Sequence, residues 1–206
     1  MNDDLNTADL ELVEKVRSGD KKAYSVLVRR HQPGLMRLSL RFVKDVDVAE
    51  DVVQESLIKA YERLASFEGR ASFKSWLYQI AVNTAKNKLR DRRGETKDIE
   101  DVQLGVAAEA ETGMVHQAVA HLINKHVEEL PFKQRTALTL RIYEDLSFKE
   151  IAEIMDCPYD TAKANYRHAL LKLREELQGQ EELQNWTEEV GGFFMEWNQK
   201  VAEAEA

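Results

Sequence analysis

Apolar residues recur through this chain at steps of three and four, and this spacing restricts the fold more than any other feature. Between positions 49 and 64 the steps describe a helix with one buried face. That face is formed by Val53, Leu57, Ala60, Tyr61 and Leu64. Only three of the 206 residues are proline, so few positions end a helix abruptly. The sequence therefore predicts an all-α protein without a sheet.

Another long helix is predicted from about residue 72 to residue 92. At about 100° per residue, one apolar arc of this helix faces the core. It contains Phe73, Trp76, Leu77, Ile80, Ala81 and Thr84. On the same count, Gln79, Asn83, Lys86 and Arg90 form a narrow polar ridge, which is the first candidate surface for function.

Two further helices are predicted closer to the N-terminus. A helix around residues 12–16 ends near Gly19, and Asp20 is placed to cap the next helix. Pro33 and Gly34 are expected to interrupt that next helix, because proline removes a backbone donor and glycine favours turns.

Charge is segregated along the chain, and this segregation predicts two domains. The net charge of −8 argues against a general nucleic-acid-binding protein. Basic residues are nevertheless concentrated at 70–93, which carries +6, whereas 94–113 carries −5 and 178–206 carries −6. The sequence predicts two small helical domains, 1–93 and 115–177. They are joined by an acidic flexible linker at 94–114 and followed by an acidic extension at 178–206.

The second domain contains the pattern of a helix-turn-helix between residues 146 and 161. Ser147 and Glu150 have the spacing of a capping box, and Pro158 closes the turn before a new helix. The apolar side of the new helix contains Ala162, Tyr166, Ala169, Leu170 and Leu173. Its outward residues, near the end that enters the major groove in such motifs, are Lys163, Ala164, Arg167 and His168. An ordinary helical hairpin with a solvated basic face is the alternative.

Both domains resemble one known family, in the expected order. Residues 138–141 and 151–158 are similar to the sigma-4 domain of extracytoplasmic-function sigma factors. Residues 50–61 and 73–83 resemble the sigma-2 domain of the same sigma-70 family, close to its sigma-E-like members. The resemblance implies a non-enzymatic alternative sigma factor that binds RNA polymerase core and directs promoter-specific transcription initiation.

In the first domain, the resemblance implies contacts with both polymerase and the minus-10 element. Asp51, Gln54 and Glu55 would dock on the clamp helices of the largest polymerase subunit, or else form a solvated charged face.

The polar ridge (Gln79, Asn83, Lys86 and Arg90), with the loop at 67–72, would meet the melted minus-10 element. An unstacked base needs a pocket, amides that read its edge and cations along the backbone. Asn83 is the first choice for the base contact. Phe67 is either an aromatic platform or a core anchor, and Trp76 is expected in the core.

In the second domain, the resemblance implies contacts with the minus-35 element. Lys163 and Arg167 would contact base edges or phosphates, with Ala164 and His168 beside them and Arg141 supporting them at the backbone. The family often has glycine at the position of Asp160, and arginine then serine at those of Lys163 and Ala164. Because lysine lacks the planar fork of arginine and alanine has no hydrogen-bonding group, we expect an altered or weaker base preference.

The resemblance further implies a polymerase flap contact, an anti-sigma factor as partner, and a monomer when free or bound to its regulator. No cofactor or metal is expected from five scattered histidines, and Cys157 is interpreted as a small buried residue. No apolar run approaches the roughly 18 residues of a membrane helix, so a cytoplasmic protein without membrane insertion is expected.

Two questions stay open at the level of sequence. An apolar stripe in the extension suggests a helix that docks on a partner or masks the recognition helix, with a disordered or folded-back tail as the alternative; it contains Trp186, Val190, Phe194 and Trp197. A conventional helix-turn-helix regulator and a degenerate sigma that only sequesters a partner are the alternative functions.

Overall fold

The computed structural model of the protein describes residues 2–95 and 114–178, with side chains at 6–92 and 122–177. These residues form eight α-helices and one short 3-10 helix, and they contain no strand. The all-α prediction is confirmed. The chain divides into two compact units, Met1–Leu104 and Gly105–Ala206. The predicted linker and C-terminal extension lie, apart from residues 94, 95, 114 and 178, outside the described part of the chain.

The first unit contains four α-helices, and local sequence signals account for several of their ends. They are α1 (Asn2–Arg17), α2 (Lys21–Val43), α3 (Val46–Arg63) and α4 (Phe73–Glu95), with a 3-10 helix (Leu64–Ser66) after α3. Asp20 caps α2 by accepting from the backbone N–H of Lys22, and Asp45 caps α3 by accepting from that of Val48. The largest fully buried side chains of this unit are Leu27, Leu35, Leu38, Phe42, Phe73 and Leu77.

The prediction that Pro33 and Gly34 interrupt a helix was wrong. Both residues lie inside the continuous helix α2. Proline costs one backbone hydrogen bond there, but α2 has buried residues on either side of the pair, Leu27 and Leu35 among them, so packing offsets the loss. Gly34 is required by packing: a Cβ atom at this position would overlap the hydroxyl of Tyr78 on α4.

The second unit also contains four helices: α5 (Met114–Glu129), α6 (Phe132–Tyr143), α7 (Phe148–Met155) and α8 (Tyr159–Gln178). The predicted capping box is confirmed, because the Ser147 hydroxyl accepts from the Glu150 N–H and the Glu150 carboxylate accepts from the Ser147 N–H. Asp156 ends α7 in the left-handed conformation, with φ of 49°. The tight turn that follows leads directly into α8, which gives the helix-turn-helix its shape.

Candidate nucleic-acid interface

A small surface pocket lies along α3 and α4 of the first unit. Its lining residues are Lys59, Arg63, Trp76, Gln79, Ile80, Asn83, Thr84 and Asn87. Its volume is about 200 Å³. Pockets for small-molecule ligands usually enclose roughly 300–1,000 Å³, so this one suits a single flat group better than a cofactor.

The lining combines amides, cations and one indole. Gln79, Asn83 and Asn87 each carry a donor and an acceptor, which together can read the edge of a nucleobase. Lys59 and Arg63 add positive charge at the side of α3, and the described lining residues include no carboxylate. These are the groups that an unstacked base and its phosphate require.

Lys59 is held in place at this pocket by two contacts. Its Nζ lies 2.6 Å from Glu55 Oε1 and donates to Thr84 Oγ1 at 3.3 Å. The hydrogen bond from Lys59 lowers the pKa of Glu55, although partial burial acts in the opposite direction. The carboxylate therefore stays ionised to lower pH and keeps the ammonium ordered.

The structure brings two of the four ridge residues into the pocket. Gln79 is half-buried and Asn83 is exposed, and both line it. Lys86 and Arg90 are exposed further along α4, outside the lining. Lys59, Arg63 and Asn87 were missed by the sequence interpretation. Asn87 lies one turn after Asn83 and could have been found from spacing, whereas the two cations of α3 could be placed only once α3 packed on α4.

Phe67 lies in the core, with 4% of its surface exposed. Its ring centroid is 4.9 Å from that of Trp76 and 5.9 Å from that of Phe73. Of the two predicted roles, the core anchor matches this position. Trp76 is half-buried: it packs against Phe67 and also lines the pocket, so it belongs both to the core and to the pocket wall.

The predicted polymerase-docking residues lie on one broad, solvent-facing side of α3. Asp51 and Glu55 lie near α4, where their carboxylates are 3.8 Å and 3.5 Å from Lys88 Nζ. Gln54 is exposed at the edge of this side, in helical register with Ile58 and Tyr61, which are 58% and 41% exposed. The placement of Tyr61 in the buried stripe was therefore wrong, because the stripe of α3 is centred on Val52, Val53, Ser56 and Ala60.

In the second unit, the outward residues of α8 are accessible to different degrees. Arg167 and His168 are exposed, whereas Lys163 and Ala164 are half-exposed. The predicted apolar side of α8 is buried throughout. Asp160 is exposed in the first turn, where a carboxylate suits the positive end of the helix but repels a phosphate.

Arg141 is already engaged within the second unit. It donates from Nη1 to the carbonyl of Leu146 at 2.9 Å, and its guanidinium lies 5.3 Å from the ring centroid of Phe148. Because a guanidinium has five donors, these contacts orient the side chain and leave donors for a phosphate. Cys157 is half-buried rather than buried, and desolvation raises the pKa of its thiol.

Within residues 2–95 and 114–178, no helix is both long and apolar enough to cross a membrane. In the same residues, no three His, Cys, Asp or Glu side chains come together in a group that could hold a metal ion.

Family models match both units. Residues 27–95 match Sigma-70 region 2, and residues 116–173 match Sigma-70, region 4. The pocket, the ridge and α3 with its predicted docking residues lie in the first matched segment, and the outward residues of α8 lie in the second.

Named relatives agree with these matches. The chain is 41% identical over 167 residues to the RNA polymerase sigma-H factor of Pseudomonas aeruginosa, covering 76% of this chain and 86% of that protein. It is 40% identical over 181 residues to the ECF RNA polymerase sigma-E factor of Haemophilus influenzae, covering 82% and 95%. It is also 41% identical over 167 residues to the Escherichia coli K12 sigma-E factor, covering 76% and 87%.

Two solved structures share the fold. The sigma factor RpoE of Bartonella quintana, solved in complex with the anti-sigma factor NepR, is 26% identical and superposes with a TM-score of 0.62 over 77% of this chain and 98% of that one. CnrH, solved in complex with the cytosolic domain of CnrY, is 22% identical with a TM-score of 0.63 over 83% and 97%, which supports the fold alone.

Proposed function

We propose a division of work between the two units of this chain, which belongs to the extracytoplasmic-function group of the sigma-70 family and is an alternative sigma factor that directs transcription initiation. In this proposal the first unit binds polymerase core and opens the minus-10 element. The second unit binds the minus-35 element. The observation that carries the proposal is the pocket of amides and cations along α3 and α4.

At the minus-10 element, one base of the nontemplate strand leaves the stack and enters this pocket. Asn83 and Gln79 hydrogen-bond its edge, with the indole of Trp76 as a wall. Lys86 and Arg90, exposed along α4, follow the backbone of the melted strand. These contacts form only after the base has left the duplex, so they stabilise the opened strand and offset the cost of breaking the base pair.

Polymerase docking uses α3. Ile58 and Tyr61, exposed beside Gln54, provide the apolar centre that the polar residues Asp51 and Glu55 surround. An apolar centre with a polar rim is typical of an interface that must also separate. The partners proposed on this basis are the clamp helices of the largest polymerase subunit. The flap of the second-largest subunit is proposed for the second unit, by analogy with the family.

The remaining parts of the proposal rest on family membership. We propose an anti-sigma factor as a regulator, since a relative was solved with one. A monomeric, cytoplasmic protein without catalytic activity, cofactor or resident metal completes the proposal.

Reconstitution tests the function directly. Purified chain added to polymerase core is expected to give initiation at promoters that core alone does not use. Start sites mapped after overexpression would supply those promoters. A conventional regulator or a sequestering protein would bind DNA or a partner yet leave core inactive, and that result would contradict the proposal.

At the minus-35 element, Arg167→Ala is expected to weaken promoter binding by the holoenzyme about five- to tenfold, because this exposed guanidinium lies on the reading face of α8. If Arg167 contacts a phosphate, the slope of log affinity against log salt also falls by about one. Lys125→Gln removes one exposed positive charge from α5 and serves as the charge-matched control. Equal effects of the two variants would exclude a specific role for Arg167.

A further inference from the structure

Helix α1 contacts the loop that precedes α4, one of the two helices that line the pocket. The match to Sigma-70 region 2 begins at residue 27, so α1 lies wholly outside it. Three side chains of α1 nevertheless reach the loop at 64–73 that joins α3 to α4. They are Asn6, Leu10 and Arg17.

Arg17 holds the first end of this loop. Its Nε and Nη2 donate to the carbonyl of Leu64 at 3.3 Å and 3.1 Å, and Nη2 also donates to the carbonyl of Phe67. Backbone carbonyls at the end of an α-helix lack an α-helical partner. That of Leu64 accepts from the backbone N–H of Phe67 at 3.3 Å, and the guanidinium of Arg17 adds donors from another helix. A planar guanidinium can bond both carbonyls at once, which fixes their separation.

Asn6 bonds the far end of the loop, and Leu10 lies close to its middle. Asn6 Oδ1 accepts from the backbone N–H of Phe73, the first residue of α4, at 3.4 Å. The side chain of Leu10 lies 3.9 Å from the position that a Cβ of Gly69 would occupy. Gly69 has φ of 71°, a conformation that other residues adopt at a cost, so the turn of the loop is set here.

Helix α1 is itself fixed firmly to the domain. The carboxylate of Asp9 is 2% exposed; it accepts from Arg30 and lies 2.8 Å from His31 Nε2, both on α2. A buried carboxylate with two partners gives α1 a defined position. Between the end bonded by Arg17 and the end bonded by Asn6, the loop exposes Glu68, Gly69 and Arg70 to solvent.

We infer that Arg17 is a positioning residue for minus-10 selection, through which α1 sets the conformation of the loop beside the base pocket. The inference rests on the proposed function of that pocket. Arg17 itself does not touch DNA in this arrangement. It fixes the backbone at Phe67, whose ring packs against Trp76, and Trp76 in turn forms a wall of the pocket.

The test compares Arg17→Gln with Arg17→Lys and Glu14→Gln in holoenzyme. Initiation is measured on promoters that differ by single bases across the minus-10 element. Arg17→Gln is expected to reduce the ratio between preferred and substituted bases about tenfold, at the one or two positions beside the pocket, with core affinity within twofold. Arg17→Lys, which can reach one carbonyl, should retain part of the selectivity. Glu14→Gln removes only the exposed ion pair with Arg17 and should behave as the original chain.

Two results would overturn the inference: unchanged selectivity, or an equal loss at every promoter, which indicates a merely structural role. Asn6→Ala, which loosens the other end of the loop by one weaker bond, repeats the test if Arg17→Gln folds poorly. Asn83→Ala in the same assay separates this inference from the proposed function. If Asn83→Ala alters selectivity and the Arg17 variants do not, the pocket stands and the role of Arg17 falls. If neither Asn83→Ala nor the Arg17 variants alter selectivity, the proposed role of the pocket in base recognition is contradicted.

Discussion

Replacing Asn83 by alanine is expected to slow open-complex formation about ten- to a hundredfold while affinity for polymerase core changes less than twofold. The amide is exposed at the rim of a pocket whose described lining contains two more amides, two cations and an indole. A base that enters this pocket gains edge contacts only after it has left the duplex, so losing them raises the barrier to melting rather than weakening docking. A fluorescent base analogue in the minus-10 element would report the melting rate.

The matched control for this variant is Asn124→Ala. It makes the same chemical change at an exposed position of α5 and should melt the promoter at the normal rate. If Asn83→Ala forms open complexes normally, this residue does not contact the base. If it loses core binding instead, the pocket belongs to the polymerase interface.

Gly34→Ala is expected to lower the free energy of unfolding of the first unit by about 2 kcal/mol. In an ordinary helix the same change is stabilising by about 1 kcal/mol, because alanine is the better helix former. Here the new methyl group would overlap the hydroxyl of Tyr78, whose side chain is only 2% exposed and has little room to move. The sign of the change in the free energy of unfolding therefore shows whether packing or helix propensity dominates at this position. Urea unfolding followed by helical circular dichroism measures it.

A double-mutant cycle makes this second prediction specific. In a Tyr78→Phe background the obstructing oxygen is gone, and Gly34→Ala should cost less than about half as much. Ser25→Ala, at an exposed position of the same helix, should be close to neutral or slightly stabilising. An unchanged cost in the phenylalanine background would mean that something other than the hydroxyl excludes a side chain at position 34.

The structural features that the sequence predicted correctly are those whose cause lies within a single helix or at one helix end. The capping box of Ser147 and Glu150 involves residues three apart, and both its bonds are present in the structure. The apolar side of α8 depends on the period of a single helix, and it too is buried as predicted. Both features depend only on residues a few positions apart in the chain, and therefore a single sequence is enough to predict them.

The errors and omissions have non-local causes. Pro33 and Gly34 look like a break until α4 packs against α2 and brings Tyr78 to Gly34. Tyr61 fits an apolar stripe by spacing, yet its ring packs edge-on against Tyr24 of α2 and stays 41% exposed. Lys59 and Arg17 act on residues 25 and 47 positions away, at Thr84 and Leu64. No periodicity within one helix contains that information.

Lys88 connects the proposed polymerase-docking surface on α3 with the proposed DNA surface on α4. Its ammonium lies within 4 Å of Asp51 and Glu55 on the docking helix, while Lys88 itself belongs to α4, which carries the ridge. If polymerase engages either carboxylate as proposed, the electrostatic field at α4 changes, and by thermodynamic reciprocity the melted strand would change the affinity for polymerase by the same factor. Half-exposed ion pairs contribute at most about 1 kcal/mol, which limits this coupling to roughly fivefold. Under the proposed function, docking and DNA binding would thus be linked equilibria within one small domain, and each affinity would depend on whether the other partner is bound.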